Sequence, residues 1–237
     1  MGGRAAWLLA AILLVGLALR VWGLAFGLPN ISCRPDESTL VHRALAIGAG
    51  DPNPHFFNYP SLHFYLLAAV YGAYYIAGFM GGVFENTAIF EAQFLKDPSV
   101  FYLIGRGLGA LMGIASVGVL YSIGTRLGGV LVGLASALFL SCCFLHVRDS
   151  HFLTVDIPAT FYLLVSILFS LRYMEGRAVR NLIVGAIFLG LSASTKYNLG
   201  LFAGVVLIVA YQKSDSLRAN GGRLCWVVGV MAAAFIA

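Results

Sequence analysis

The chain alternates long apolar runs with short polar intervals. Eight runs stand out: Trp7–Phe26, Leu62–Met80, Ser99–Ile123, Leu127–Leu145, Ile157–Leu171, Leu182–Thr195, Tyr197–Tyr211 and Leu224–Ala237. They are continuous and rich in Leu, Ala and Gly rather than alternating, so they predict helices and not the strands of a barrel. Several approach the roughly 20 residues that a helix needs to cross a hydrocarbon core of about 30 Å. Leu62–Met80 differs by carrying His63, Tyr65, Tyr71, Tyr74 and Tyr75, the composition of an interfacial helix. Between Glu85 and Asp97, Phe90, Phe94 and Leu95 recur at helical spacing among acids and predict a second surface helix. The runs on either side of Lys196 are about 15 residues each, about 22 Å of helix, so their hairpin tip is expected below the membrane surface.

With 60% hydrophobic and 11% charged residues, the composition excludes an ordinary soluble domain. The net charge of +5 then points to basic cytoplasmic loops and not to nucleic acid. Topology turns on Leu62–Met80. If it lies along the membrane, Arg4, Arg126, Arg172, Arg177, Arg180, Lys213, Arg218 and Arg223 share the cytoplasmic side. Eight of the ten acidic residues (Asp36, Glu37, Asp51, Glu85, Glu91, Asp97, Asp149 and Asp156) then lie opposite. If it spans, seven of those eight basic residues move outside, against the positive-inside bias. The expectation is therefore an all-α polytopic membrane protein of about seven transmembrane helices. Its N-terminus is cytoplasmic, and a long outer loop of juxtamembrane helices follows the first span. The four cysteines have neither disulfide-framework nor zinc spacing. The stretch Ala5–Leu28 is too long for a signal-peptide core and reads as an uncleaved span. The chain stops at Ala237 inside an apolar stretch, so residues 1–237 are expected to be the N-terminal transmembrane module of a longer protein.

Polar residues collect in three places on the outer side. The first loop reads Cys33-Arg34-Pro35-Asp36-Glu37-Ser38, opens a short helix through Ala46, and continues as a Pro-rich turn containing His55 and Tyr59. The plain structural reading makes Asp36 a helix cap with Glu37 favoured by the helix dipole. A cap that aims a neighbouring carboxylate is compatible with it. The second place, His146 to Pro158, holds Arg148, Asp149, His151 and Asp156, with Pro158 suited to a first helical turn. An ordinary solvated loop is the rival reading, but ionisable groups this near a membrane are costly unless paired or wetted. The third is Ser194-Thr195-Lys196-Tyr197-Asn198, whose helices look too short for Lys196 to snorkel to bulk water. Arg106, inside an apolar run, is placed to pair with an outer carboxylate or phosphate. The segment Gly105-Arg106-Gly107-Leu108-Gly109-Ala110 half-matches a dinucleotide fingerprint, but no strand precedes it. Gly105, Gly109 and Gly113 instead form a small-residue packing face, and Gly129 and Gly133 read likewise.

Five elements in order carry a resemblance: Asp36-Glu37 after the first span, Tyr59-Pro60-Ser61-Leu62, Gly105-Arg106, Asp156-Ile157-Pro158 and Thr195-Lys196. Together they resemble the GT-C superfamily of polyprenyl-phosphate-sugar glycosyltransferases, in the branch of protein O-mannosyltransferases and lipid A aminoarabinose transferases. Relatives often have two prolines at the second element; here Ser61 replaces the second. The resemblance implies an inverting transfer of a glycosyl group from a polyprenyl-phosphate sugar to a hydroxyl of a protein, lipid or glycan. The reaction would lie at the non-cytoplasmic face of a bacterial or archaeal plasma membrane. In that reading Asp36 is the catalytic base, and Lys196, Arg106 and Arg148 meet the leaving phosphate. Glu37 and Asp156 orient the base or bind sugar hydroxyls, and Tyr59 and His55 bind substrate. Some relatives use a metal and others do not, so a divalent cation stays open, with Glu37 or Asp156 as its ligand. The rivals are a transporter, for which no repeat between the halves is visible, and a non-catalytic assembly subunit.

Overall fold

The computed structural model describes residues 3–176, 178–212 and 217–236, so Arg177 and Lys213 of the basic set lie outside the described residues. Among the described residues the chain is all helical: α1 (Gly3–Val21), α2 (Pro35–Gly48), α3 (Leu62–Met80), α4 (Thr87–Lys96), α5 (Ser99–Cys142), α6 (Phe144–Ser150), α7 (Asp156–Gly176), α8 (Val179–Ala193), α9 (Ala203–Gln212) and α10 (Leu217–Ile236). Short 3-10 turns cover Ile31–Cys33 and Tyr197–Phe202. Four of the described helices, α1, α3, α5 and α7, are long and apolar enough to cross a membrane. With the shorter apolar helices they make an all-α polytopic membrane protein. The first apolar run is helical only to Val21, and turns carry the rest of it to Pro29.

The third and fourth apolar runs are the two arms of α5, which folds back at Gly128–Gly129. Gly129 has φ 80° and ψ −177°, a conformation open in practice to glycine alone. It makes the turn, and is not part of the packing face its spacing from Gly133 suggested. Gly133 does pack, since a Cβ there would come within 2.1 Å of Thr125 Oγ1 and 2.8 Å of the Tyr121 carbonyl. The arms are therefore antiparallel, and Ser99 and Cys142 lie at one end of the bundle. Helices α7 and α8 are also antiparallel: Ser192 Oγ donates to the Ala159 carbonyl (2.8 Å) and Ser166 Oγ to that of Gly185 (2.7 Å). Helix α10 runs alongside α8, from Trp226 near Ile183 to Phe235 against the Tyr197 ring.

This arrangement gives the bundle two chemically different ends. One carries Arg4, Arg180 and the Arg126–Glu175 ion pair. The other carries the loops, the starts of α5 and α7, and the tip between α8 and α9. Helix α3 is anchored to that second end from Leu62 to Tyr74. The Leu62 amide donates to the Ser194 carbonyl (3.2 Å) at the α8 tip. Further on, Leu67 approaches Gly105, Tyr71 Oη donates to the Phe101 carbonyl (3.1 Å), and the Tyr74 ring meets Phe101. These anchors on α5 span Phe101 to Gly105, only about 6 Å of helical rise. Helix α4 then folds back beneath α3 and α2: Phe90 packs on Tyr74, Tyr75 and Phe101, and Phe94 packs on His42 and Phe101.

A buried core joins these pieces, with Leu40, Val41 and Ala44 of α2, Phe64, Leu67 and Tyr71 of α3, Phe101 and Tyr102 of α5, and Leu153 and Val155. The expected small-residue face of Gly105, Gly109 and Gly113 is the seat of the 146–158 loop. A Cβ on Gly105 would come 2.0 Å from Leu153 Cδ1, and one on Gly113 would come 2.5 Å from Ser150 Oγ. Gly105→Ala is expected to cost about 1–3 kcal/mol through overpacking. Gly118→Ala, which meets nothing within 4 Å, should leave stability unchanged or raise it slightly. Thermal unfolding of the two variants in detergent checks both.

Candidate active site

Two adjacent carboxylates open α2, and the helix separates them. Arg34 occupies the N-cap position without a capping side chain, Pro35 is N1, and Asp36 and Glu37 follow in the first turn. Asp36 is thus inside the helix and not its cap. Successive helical residues point about 100° apart, so one carboxylate faces inward and its neighbour outward. Glu37 is 2% exposed and Asp36 is exposed. Asp36 has no hydrogen-bond or ion-pair partner among the described residues.

The inward carboxylate meets Arg106. Arg106 Nε donates to Glu37 Oε1 (2.9 Å) and a terminal nitrogen donates to Oε2 (2.6 Å), a bidentate fork between two fully buried side chains. The other terminal nitrogen donates to the carbonyls of Leu24 (2.7 Å) and Phe26 (2.8 Å). Glu37 Oε1 also accepts the Leu153 amide (2.7 Å). One buried pair therefore ties together the segment after α1, the start of α2, the first arm of α5 and the 146–158 loop. Burying two charges is costly. Here the cost is offset because both carboxylate oxygens and all three guanidinium nitrogens have partners.

The 146–158 loop carries its charges outward. Arg148 pairs with its neighbour Asp149 (2.8 Å) and is exposed. Asp156, the first residue of α7, forms an ion pair with Lys196 at the α8 tip, both half exposed. The same tip is bound to the aromatic-Pro element. The Leu62 amide donates to Ser194, and Tyr197 Oη donates to the Phe57 carbonyl (3.2 Å). Between them lies a recess of about 230 Å³ lined by Pro60, Ser61, Leu62, Tyr65, Ser194, Tyr197 and Phe235. Tyr65 also donates to the Pro52 carbonyl (2.9 Å), holding the turn that carries His55. His55 itself is exposed, has φ 49°, and pairs through Nε2 with Asp51 (3.1 Å). Tyr59 is half buried against Phe56 (5.7 Å).

The structure thus brings Glu37 and Arg106 into one cluster and Asp156 and Lys196 into another, joined through Leu153–Asp156. Asp36 stands beside the first. Arg148 and His55 face solvent with partners of their own. Among the described residues no three His, Cys, Asp or Glu side chains come together as a cation's ligand set. Glu37 gives its oxygens to Arg106 and Leu153, and Asp156 faces the Lys196 cation, so as arranged neither carboxylate belongs to a divalent-cation ligand set.

Sequence reading passed over Arg20, although a lone arginine in the last turn of an apolar helix is a signal. Arg20 is fully buried and donates to the carbonyls of Gly16 (2.8 Å), Leu140 (3.1 Å) and Ser141 (3.2 Å) and to His146 Nδ1 (2.9 Å). It fastens α1 to α5 and α6, and accepting its hydrogen bond requires a neutral His146. Burial, then the Arg20 charge, pushes the His146 pKa from 6.5 down to about 4. The unfolded chain therefore binds the extra proton first as pH falls. The contribution of His146 to stability is complete above about pH 6.5 and is lost progressively toward pH 4. The unfolding midpoint should fall between pH 7.5 and 5, and His146→Gln should flatten that slope. An unchanged slope in the variant would remove His146 as its source.

Residues 98–237, more than half of the chain, match the family model described as dolichyl-phosphate-mannose-protein mannosyltransferase. Arg106, Arg148, Asp156 and Lys196 lie within the match, while Asp36, Glu37, His55 and Tyr59 precede it. No match is found among curated proteins or among solved structures.

Proposed function

The chain belongs to the dolichyl-phosphate-mannose-protein mannosyltransferase family, and from that premise we propose that it transfers a glycosyl group from a polyprenyl-phosphate sugar to an acceptor hydroxyl, with inversion, at the non-cytoplasmic face of the membrane. The observation that carries the reading is the pair of adjacent carboxylates on α2. Glu37 is locked to Arg106 inside the protein, while Asp36 is exposed and unpartnered beside it. A carboxylate held on a rigid helix with no competing partner is suited to take the proton of an incoming hydroxyl.

In this mechanism the acceptor oxygen attacks the anomeric carbon as Asp36 receives its proton. The bond from that carbon to the phosphate oxygen breaks on the opposite side, and its electron pair leaves with the lipid phosphate. Glu37 and Arg106 position the base by fixing α2 against α5 and Leu153, so Arg106 serves the site from within and not on the phosphate. Asp156 and Lys196 form a half-exposed pair able to exchange partners, Asp156 for sugar hydroxyls and Lys196 for phosphate oxygens. The recess between the Tyr59–Leu62 element and the α8 tip offers space beside them for the sugar head, with Tyr65 and Tyr197 as its aromatic walls. Tyr59 and His55 act from the loop that Tyr65 and Tyr197 hold.

The topology follows from the positive-inside bias applied to the two ends of the bundle. The Arg4, Arg126 and Arg180 end is cytoplasmic, and α3 lies at the opposite surface without crossing. Cys33 is exposed in the loop before α2. With the other three cysteines changed to serine, it should react with an impermeant thiol reagent from the non-cytoplasmic side. Reaction only after permeabilisation would reverse the orientation. The activity itself is tested by presenting the purified chain, in nanodiscs, with a panel of polyprenyl-phosphate sugars and following release of polyprenyl phosphate. Uptake of a small solute into proteoliposomes without any transfer would replace this reading with a transporter.

A further inference from the structure

An inverting transfer leaves negative charge on the lipid phosphate, and a cation must be ready where that charge gathers. Of Arg34, Arg106, Arg148 and Lys196, three already face a carboxylate: Arg106 faces Glu37, Arg148 faces Asp149 and Lys196 faces Asp156. Recruiting any of them to a phosphate means breaking an ion pair. The Arg34 guanidinium has no hydrogen-bond or carboxylate partner among the described residues. It is nevertheless held in place, because it lies over the Phe152 ring with Cζ 3.6 Å from the centroid.

That stacking matters for what Arg34 can bind. A guanidinium on an aromatic face is fixed in plane and orientation while its N–H donors, which lie in the plane, stay unused. Lysine has no equivalent fork. Phe152 is itself positioned by its neighbour Leu153, whose amide is held by Glu37 and whose side chain fills the space at Gly105. Arg34 therefore sits on the same scaffold as Asp36, two residues away, with its charge uncommitted.

Resting on the glycosyl-transfer reading above, we infer that Arg34, stacked on Phe152, is the principal cation for the phosphate of the donor and of the departing lipid, ahead of Lys196, which must first leave Asp156. Asp36 and Arg34 then act on opposite sides of the reacting carbon. Asp36 takes the hydroxyl proton, and the Arg34 fork receives the phosphate oxygen that keeps the electron pair.

The test is binding of radiolabelled dolichyl phosphate to the chain in nanodiscs, with dolichol and inorganic phosphate as competitors. Wild-type protein should retain dolichyl phosphate against excess dolichol. Arg34→Gln should weaken that binding about tenfold, as loss of one charge-assisted contact implies. Arg34→Lys should recover part of it, and Phe152→Leu should give an intermediate loss although the charge remains. Unfolding midpoints equal to wild type exclude misfolding as the cause. If Arg34→Gln binds dolichyl phosphate as wild type does while Lys196→Met does not, the assignment is overturned in favour of Lys196. If wild type itself fails to distinguish dolichyl phosphate from dolichol, the donor class falls, and Arg34 with it. Competition by inorganic phosphate at concentrations equal to the lipid's would make a soluble anion the occupant and overturn the lipid-phosphate assignment.

Discussion

Arg106→Met is expected to destabilise the protein by about 3–5 kcal/mol, because it leaves the Glu37 carboxylate buried without its counter-charge. Glu37 would keep only the Leu153 amide, and the Leu24 and Phe26 carbonyls would lose their donor. Thermal unfolding in detergent reads the loss directly. The double variant Glu37→Leu with Arg106→Met is the control, since replacing both charges by apolar groups removes the desolvation cost together with the attraction and should recover much of the stability. A single variant as stable as wild type that had lost only transfer would show that Arg106 does not clamp α2 to α5.

The second large effect falls on the neighbouring residue and has the opposite character. Asp36→Asn should lower glycosyl transfer by about 10²- to 10⁴-fold, the usual contribution of a positioned base. Stability should change by no more than about 0.5 kcal/mol, because the side chain is exposed and unpartnered. Asp36→Glu keeps the base and displaces it, so an intermediate rate is expected. Release of polyprenyl phosphate over time, measured with saturating acceptor, gives the comparison. Transfer at the wild-type rate in Asp36→Asn would take the catalytic role from Asp36. A collapse in stability would show instead that Asp36 shares the structural duty of Glu37.

Much of this was legible along the chain. The Leu62–Met80 helix begins and ends where its tyrosine-rich apolar run does. The helix between Glu85 and Asp97 is α4. The four-residue recurrence of Gly105, Gly109 and Gly113 forms the seat expected of small residues, against Leu153, Phe152 and Ser150. These are local properties, since hydropathy, periodicity and side-chain size act over a few turns of one helix and can be read there.

What the tertiary structure decided was which of several similar charges is committed and which is free. Asp36 and Glu37 are chemically alike and adjacent, and only the approach of α5, bringing Arg106 from 69 positions away, makes one a buried anchor and leaves the other exposed. Arg20 carries a local signal, but its partner His146 lies 126 positions away and only packing brings the two together. Gly129 shared the spacing of a packing glycine, and a reversal of chain direction gave it another task. In each case the outcome depends on a partner brought near by folding. Desolvation turns that nearness into commitment, and no window along the chain contains it.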